Sequence, residues 1–448
     1  MNRYSVKSLL LNKGGSVFRR NFVSLLRANI LAYALAFVAY PFLTRLYDPF
    51  DFGVLGLLVA ASNILMNVAT FRFDWSMPNA RTKTGAAALF AWGLIALGIT
   101  TVLTFLVLAT GLGGILIASL ESDELVRQTF MRLGFLLPVV VFALGAGELL
   151  NGWHVRENDM SSVSRSSVVQ KGTDSGLSLI GGIASLGVAS LLGAYVASFW
   201  VRGVALMWRT SELWSGFGRL SIRRMRCVLC RFFSEASWST TVSLVNASSH
   251  TLPLVLISSF YSIKDAGTYF LVYRVALAPL YLVTRSLGST YWAHAAQLYK
   301  SGDIRELNSH LIRTTRYLSL GIVPIVVVCG LAPFFVGPLF GEEQWAGAGY
   351  MLLALMPVLI AIFVYSPTHH LVALRRPSTQ LFGDVLRVVM VVGSIVACGL
   401  LKWNVYIAVA LSSAASFVGY LVLYLCHIRV HKQLIALRSV VEPPDAAA

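Results

Sequence analysis

Apolar residues in this chain gather in long runs separated by short polar stretches, with neither the alternation of a strand nor the single stripe of a surface helix. Twelve runs approach or exceed the roughly twenty residues a helix needs to cross a hydrocarbon core about 30 Å thick. They lie at 25–46, 53–71, 85–111, 129–152, 167–188, 190–208, 236–258, 267–290, 315–336, 347–372, 379–401 and 404–426. Backbone polar groups in lipid must be bonded within their own segment, so such runs predict helices, and none alternates like a barrel strand. The expected fold class is an all-α integral membrane protein of about twelve transmembrane helices. The first run is too long for a secretory signal and follows a polar lead, so it counts as a span. A cytoplasmic segment 1–24, a lobe of six helices at 25–208, a basic cytoplasmic connector at 209–235, a second lobe at 236–426 and a tail at 427–448 divide the chain.

Composition agrees: 56% of residues are hydrophobic and 12% charged, against about 25% charged in soluble domains. A net charge of +16 would suit nucleic acid if it were concentrated on one surface. Most of the 36 Lys and Arg instead fall in alternate inter-span loops and at the two ends, while the intervening turns hold Asp48, Asp51, Glu121, Asp123, Glu124, Asp265, Glu342 and Glu343. By the positive-inside rule both termini are cytoplasmic, and the charge is topological, with no nucleic-acid partner. The densest cluster, "RLSIRRMRCVLCRFF" at 219–233, is expected to touch anionic headgroups. Cys227 and Cys230 lack the second pair that a structural zinc needs, so neither metal nor cofactor is expected. Asn246-Ala-Ser248 matches a glycosylation acceptor but falls inside the seventh span.

Two of the outer turns echo each other. "YPFLTRLYDPFDFG" ends at Gly53 and "SSFYSIKDAG" at Gly267, each closing with Tyr, three residues, Asp, one residue and Gly. Six spans separate them, so orientation is preserved. The halves should be related by an axis along the membrane normal, as in transporters built from parallel repeats around a central cavity.

Charged residues inside spans narrow the chemistry, because an Arg or Lys at the bilayer centre costs about 2.5–3.5 kcal/mol on insertion scales. Lys171 with Asp174, and Asp384 with Arg387, stand three apart and can neutralise each other. Arg72, Arg274 and Arg285 have no acid three or four positions away and need partners elsewhere. Seven residues past Gly267, Arg274 lies about 10 Å below the outer face, and Arg285 and Tyr281 share its stripe. Arg72 follows Gly53 by nineteen residues and Arg285 follows Gly267 by eighteen, so each half offers an inner-end arginine. With Arg27 these make a cationic ring at the cytoplasmic mouth and one deeper charge. Guanidinium forks fit phosphate oxygens with two bonds, so the natural ligand is an anion. The competing account has Arg72, Arg285 and Arg274 snorkel to the interface or form salt bridges between the lobes with Glu148 or Asp74.

"YPFLTRLYDPFDFGVLGLL", "FRFDWSMPNA", "LNGWHVREN", "LPLVLISSFYSIKDAGTYFLVYRVALAPLYLV" and "LFGEEQWAGAGYMLLALMPVL" resemble the Wzx-type polysaccharide flippases of the multidrug/oligosaccharidyl-lipid/polysaccharide exporter superfamily. That resemblance implies two six-helix lobes around a V-shaped cavity. It also implies transport of an undecaprenyl-pyrophosphate-linked oligosaccharide across the bacterial cytoplasmic membrane, alongside a polysaccharide polymerase and a chain-length regulator. A more distant similarity to the lipid II flippase places Arg72 and Arg274 in a cationic cavity. One departure lies in "RFFSEASWS", where the family usually carries a Pro and this chain has Glu235.

Alternating access then follows, with Arg27, Arg72, Arg274, Arg285 and Tyr281 holding the substrate and Glu148 or Asp174 open to a coupling proton or Na⁺. Pro41 and Pro279 would allow bending. Gly181, Ser185, Ala189 and Gly193, four apart, would allow close packing across the turn between the fifth and sixth spans. A drug or cation exporter of the same superfamily should line its cavity with acids, while a scaffold of the polysaccharide assembly would carry nothing. An enzyme is disfavoured, since no soluble block exceeds about thirty residues and no Asp-x-Asp occurs.

Overall fold

The computed structural model describes residues 31–441 apart from 32–33, 36, 81, 111–133, 158, 209, 219, 302, 342–343 and 367–376. Among those residues all regular structure is helical. Residues 37–46 are the helical end of the first run. There follow α1 (Pro49–Ala69), α2 (Phe73–Ser76), a 3-10 turn at Met77–Asn79, α3 (Lys83–Ala109), α4 (Leu136–Arg156), α5 (Met160–Ile183), α6 (Val188–Met207) and α7 (Ser211–Phe217). The remainder comprises α8 (Ile222–Phe260), α9 (Ile263–Ser301), α10 (Ile304–Ser319), α11 (Ile322–Phe340), α12 (Ala348–Val364), α13 (Pro377–Leu400) and α14 (Val405–Val441). Each apolar run from the second onward thus carries a helix. Seven described helical segments are long and apolar enough to cross a membrane by length and composition.

The chain forms two compact units, one of residues 1–47 and 61–240, the other of 48–60 and 241–448. In the first, Leu89, Leu97, Leu149, Trp153, Leu206 and Leu213 make a buried core. The basic stretch 222–233 is the opening of α8 and belongs to this unit: Trp92 Nε1 donates to Met225 O at 3.0 Å, and the Phe71 and Phe233 rings stack 5.5 Å apart. In the second, α13 buries Gln380, Asp384, Arg387, Val391, Ile395 and Cys398, a single stripe of helical period.

The two echoing turns meet inside the second unit, to which residues 48–60 belong. A Cβ on Gly53 would run into the carbonyl oxygen of Ile263, and one on Gly267 into that of Pro49. Each glycine therefore faces the residue four positions before the other, a reciprocal crossing of α1 and α9 at backbone distance. Both repeats need Gly at that position because the crossing leaves no room for a side chain.

The expected small-residue seam between the fifth and sixth spans is not what the structure contains. Of its four members only Gly181 is buried, while Ser185, Ala189 and Gly193 are exposed. Helix α5 stops at Ile183, and the positive φ of Ser185 (55°) and Gly187 (61°) breaks the four-residue period before α6 begins. Close approach occurs instead at Gly181 and Gly182, against Ser190, Leu46 and Tyr47. The Tyr47 hydroxyl donates to Ser178 O at 2.7 Å and lies 2.8 Å from Ser190 Oγ. Tyr47→Phe should lower stability by about 1 kcal/mol, measurable as an earlier melt in detergent.

Candidate functional site

Arg72 sits where α1 ends and the chain reverses into α2. Both Phe71 (φ 48°) and Arg72 (φ 50°) are left-handed, a conformation unusual for two successive non-glycine residues. Aromatic packing holds the turn: the Phe71 ring lies between Phe73 and Phe233, and Phe73 and Met77 are buried. Reversal points the guanidinium inward. It donates to Asn67 Oδ1, stands 3.8 Å from Asp74 Oδ2 and lies 4.6 Å from the Trp75 ring centroid. Asp74 also accepts a 2.9 Å bond from Thr70 Oγ1, and α4 reaches the Asp74 backbone where a Cβ on Gly152 would clash with its carbonyl. Desolvation pulls the Arg72 guanidinium below its ordinary value and pushes the Asp74 carboxyl above its own, each opposed by the other's charge.

Within an ideal helix residues two apart do not face each other, which hid this pair from a search at three and four. Asp74 is one of the acids that the competing account named, but it pairs with Arg72 within the first unit and not as a bridge between lobes. Glu148 engages a different arginine, accepting from Arg202 Nη1 at 3.0 Å and from Asn151 Nδ2 at 3.3 Å. Asp174 is half-exposed on α5. Near the opening of α8, Glu235 accepts a 2.8 Å bond from Asn79 Nδ2 at the surface.

Arg274 and Tyr281 lie on α9 in the second unit. Arg274 is half-exposed with its guanidinium carbon 5.6 Å from the Phe270 ring centroid, and Tyr281 is exposed. Arg285 continues the same helix, with its side chain outside the described residues, as Arg27 is altogether. Arg72 belongs to one unit and Arg274 to the other.

The site that sequence reasoning underestimated is the Asp384–Arg387 pair. It is local, as the spacing implied, with Nη2 of Arg387 3.1 Å from Asp384 Oδ1, yet its side chains are only 0% and 1% exposed. Further partners come from other helices: Arg387 Nη2 donates to Asn246 Oδ1 at 2.6 Å and its Cζ lies 4.3 Å from the Tyr420 ring centroid. Gln380 Nε2 donates to Asp384 Oδ2 at 3.0 Å. His250 sits between the hydroxyls of Tyr273 (3.0 Å) and Tyr420 (3.3 Å), so one polar network joins α8, α9, α13 and α14. The signal was legible as Gln380, Asp384 and Arg387 at i, i+4 and i+7, one face of an otherwise apolar helix. Among the described residues no group of three or more His, Cys, Asp or Glu could hold a metal.

A polysaccharide biosynthesis protein family matches residues 18–291, and the chain belongs to that family. Its fold is that of transporters of the MOP superfamily. A lipid II flippase, MurJ, in an inward closed conformation superposes with TM-score 0.71 at 12% identity, over 94% of this chain and 91% of the other. An inward-facing multidrug resistance MATE family transporter of the MOP superfamily gives 0.66 at 16% identity, over 92% and 99%. A MOP superfamily transporter from Pyrococcus furiosus, described by the reverse polarity of its binding pocket, gives 0.60 at 14% identity, over 95% and 99%. A comparison with curated protein sequences finds no match. With its apolar helices, family membership makes the chain a multi-pass membrane protein of polysaccharide biosynthesis with a transporter fold.

Proposed function

We propose that the protein is a flippase that carries an undecaprenyl-pyrophosphate-linked oligosaccharide from the inner to the outer leaflet of the bacterial cytoplasmic membrane by alternating access. Arg274 is the observation that supports this most: a half-exposed guanidinium on α9, within the apolar run 267–290, in a chain of the polysaccharide biosynthesis family. A cation there favours an anionic headgroup, and diphosphate oxygens match its paired N–H donors. Tyr281 on the same stripe would add a hydroxyl, while Arg27, Arg72 and Arg285 would draw the headgroup toward the cytoplasmic mouth. Glu148 and Asp174 are proposed as coupling groups, and a polymerase and chain-length regulator as partners.

The runner-up, a cation exporter, needs acids available to a positive ligand. Asp74, Glu148 and Asp384 each face an arginine instead, at 3.8, 3.0 and 3.1 Å, which favours the anionic cargo. The test is translocation of a fluorescent undecaprenyl-pyrophosphate glycan in vesicles containing the purified protein. Arg274→Ala should slow it by about ten- to a hundredfold, the worth of a charge-assisted hydrogen bond, with unchanged membrane insertion. Arg274→Lys should restore part of the rate, since an ammonium keeps the charge without the fork. Transport by Arg274→Ala at the parent rate would overturn the assignment.

A further inference from the structure

We infer that the outer face of α10, with Arg429 and Lys432 of α14, is a docking surface for anionic phospholipid headgroups of the bilayer at that end of the second unit. It shares no residue with the cargo assignment above and does not rest on it. Helix α10 has two faces. Leu307, Leu311 and Leu318 are buried, at i, i+4 and i+11, and the first two pack in one core with Tyr291 and Val430. Arg305, Ser309, Arg313 and Arg316, at i, i+4, i+8 and i+11, are all exposed and stand on the opposite side of the helix. Of these three arginines only Arg313 has an acid partner among the described residues, Glu306 at 3.3 Å. Both side chains of that pair lie at the surface, where such a contact contributes little and leaves the guanidinium open to a stronger anion.

Two contacts with α14 set the depth of these cations. His431 Nδ1 lies 3.3 Å from Asn308 Oδ1, and Thr315 faces Tyr424, so one step of seven residues along α10 matches seven along α14 in the opposite direction. The two helices therefore run side by side, antiparallel. The apolar run of α14 ends at 426, and the helix goes on to Val441. Its 37 residues reach about 55 Å, against about 30 Å of hydrocarbon. In this register Arg316 and Arg313 stand level with residues 423 and 426, the last turn of the run. Arg429 follows about 5 Å further out, Lys432 about 9 Å, and Arg305 about 12 Å. A headgroup layer is about 5–7 Å thick on each side, so Arg313, Arg316 and Arg429 bracket it.

Toward α11 the exposure turns apolar. Tyr317, Leu320 and Val323 are 67%, 72% and 67% exposed where α10 passes into α11. From Val323 back to Arg305 the chain thus presents apolar groups, then a tyrosine, then cations, which is the order in which a bilayer presents acyl chains, interface and phosphates. An acidic protein would complement the arginines but leave Leu320 and Val323 in water. Guanidinium forks match phosphate oxygens, and near a membrane surface each cation strengthens anionic binding about fivefold.

The test uses the full-length protein with its five native cysteines replaced, a fluorophore on Ser309→Cys, and phosphatidylcholine nanodiscs. A trace of phosphatidylglycerol spin-labelled near the top of an acyl chain should quench the fluorophore about tenfold more than the same trace of labelled phosphatidylcholine. Arg313→Gln, Arg316→Gln and Arg429→Gln together should bring the two lipids to parity. Lysine at the same three positions should keep most of the preference, and added salt should weaken it, because charge drives the contact. Equal quenching by the two lipids in the parent, or a preference that survives the triple glutamine variant, would overturn the inference. Quenching by neither lipid would place α10 away from the bilayer and overturn it as well; a response to soluble polyglutamate in the parent, lost in the triple variant, would then assign the surface to an acidic protein.

Discussion

Asp384→Ala should lower the stability of the protein by about 3–5 kcal/mol, the usual result of removing one member of a buried ion pair. Asp384 is 1% exposed and Arg387 0%, so the guanidinium left behind would be charged, desolvated and matched only by Asn246 and the face of Tyr420. Nor can it move away, because a Cβ on Gly419 would lie 2.7 Å from its Cβ and Cγ: α14 already presses against the base of the side chain. The loss should therefore come mostly from the arginine, and a second substitution can show it. Asp384→Ala combined with Arg387→Met should recover most of the stability, since replacing a whole buried pair with apolar groups is often neutral. Thermal unfolding in detergent, followed through a double-mutant cycle, measures the coupling. A single variant that melts within about 1 kcal/mol of the parent would mean that Arg387 is compensated by something other than Asp384.

Helix content was readable because it depends on one-dimensional facts: run length, the absence of alternation, and the obligation of backbone groups in lipid to bond within their segment. Structure begins to depart from that reading at helix ends. Nothing in hydropathy ends α8 at position 236, so the basic residues before it continue the helix to Ile222. Partners of charged residues were readable only when local. Asp384 and Arg387 were found at three apart, but their burial depends on Asn246 from α8 and Tyr420 from α14, 141 positions and about thirty from Arg387 respectively. Arg72 has no acid at three or four positions, the spacing that helical geometry makes relevant, but the chain at Phe71 and Arg72 is left-handed and brings Asp74, two positions on, within 3.8 Å. Glu148 met Arg202 through tertiary packing, 54 positions away. Glycines on α5 are an intermediate case: their positions are plain in the sequence, but only the fold separates Gly181 and Gly182, which pack against Ser190, Leu46 and Tyr47, from Gly172 and Gly176, which face open space.

The repeat supplies the other large effect. Gly267→Ala should destabilise the protein by about 1–3 kcal/mol or more, because what a Cβ meets there is backbone, which cannot turn aside as a side chain can. Besides the Pro49 carbonyl oxygen, the added carbon would stand 2.8 Å from Pro49 C and 2.7 Å from Gly53 N. Gly53→Ala should behave alike, its Cβ driven against the Ile263 carbonyl and 2.8 Å from Ile263 Cγ1. The crossing is reciprocal, so separating α1 from α9 to admit one methyl group makes room for the other. The double variant should therefore cost clearly less than the sum of the singles. Gly193→Ala on α6 is the control, since a Cβ there meets nothing within 4 Å, and it should stabilise by about 0.5–1 kcal/mol through helix propensity alone. Melting temperatures of the four variants separate the alternatives: strict additivity would mean that the two glycines occupy independent sites, and a neutral Gly267→Ala would mean that the helices do not cross at backbone distance. If both singles lose stability and the double falls short of their sum, the motif shared by the two outer turns is a packing device, and cargo binding must be sought deeper along α9, at Arg274 and beyond.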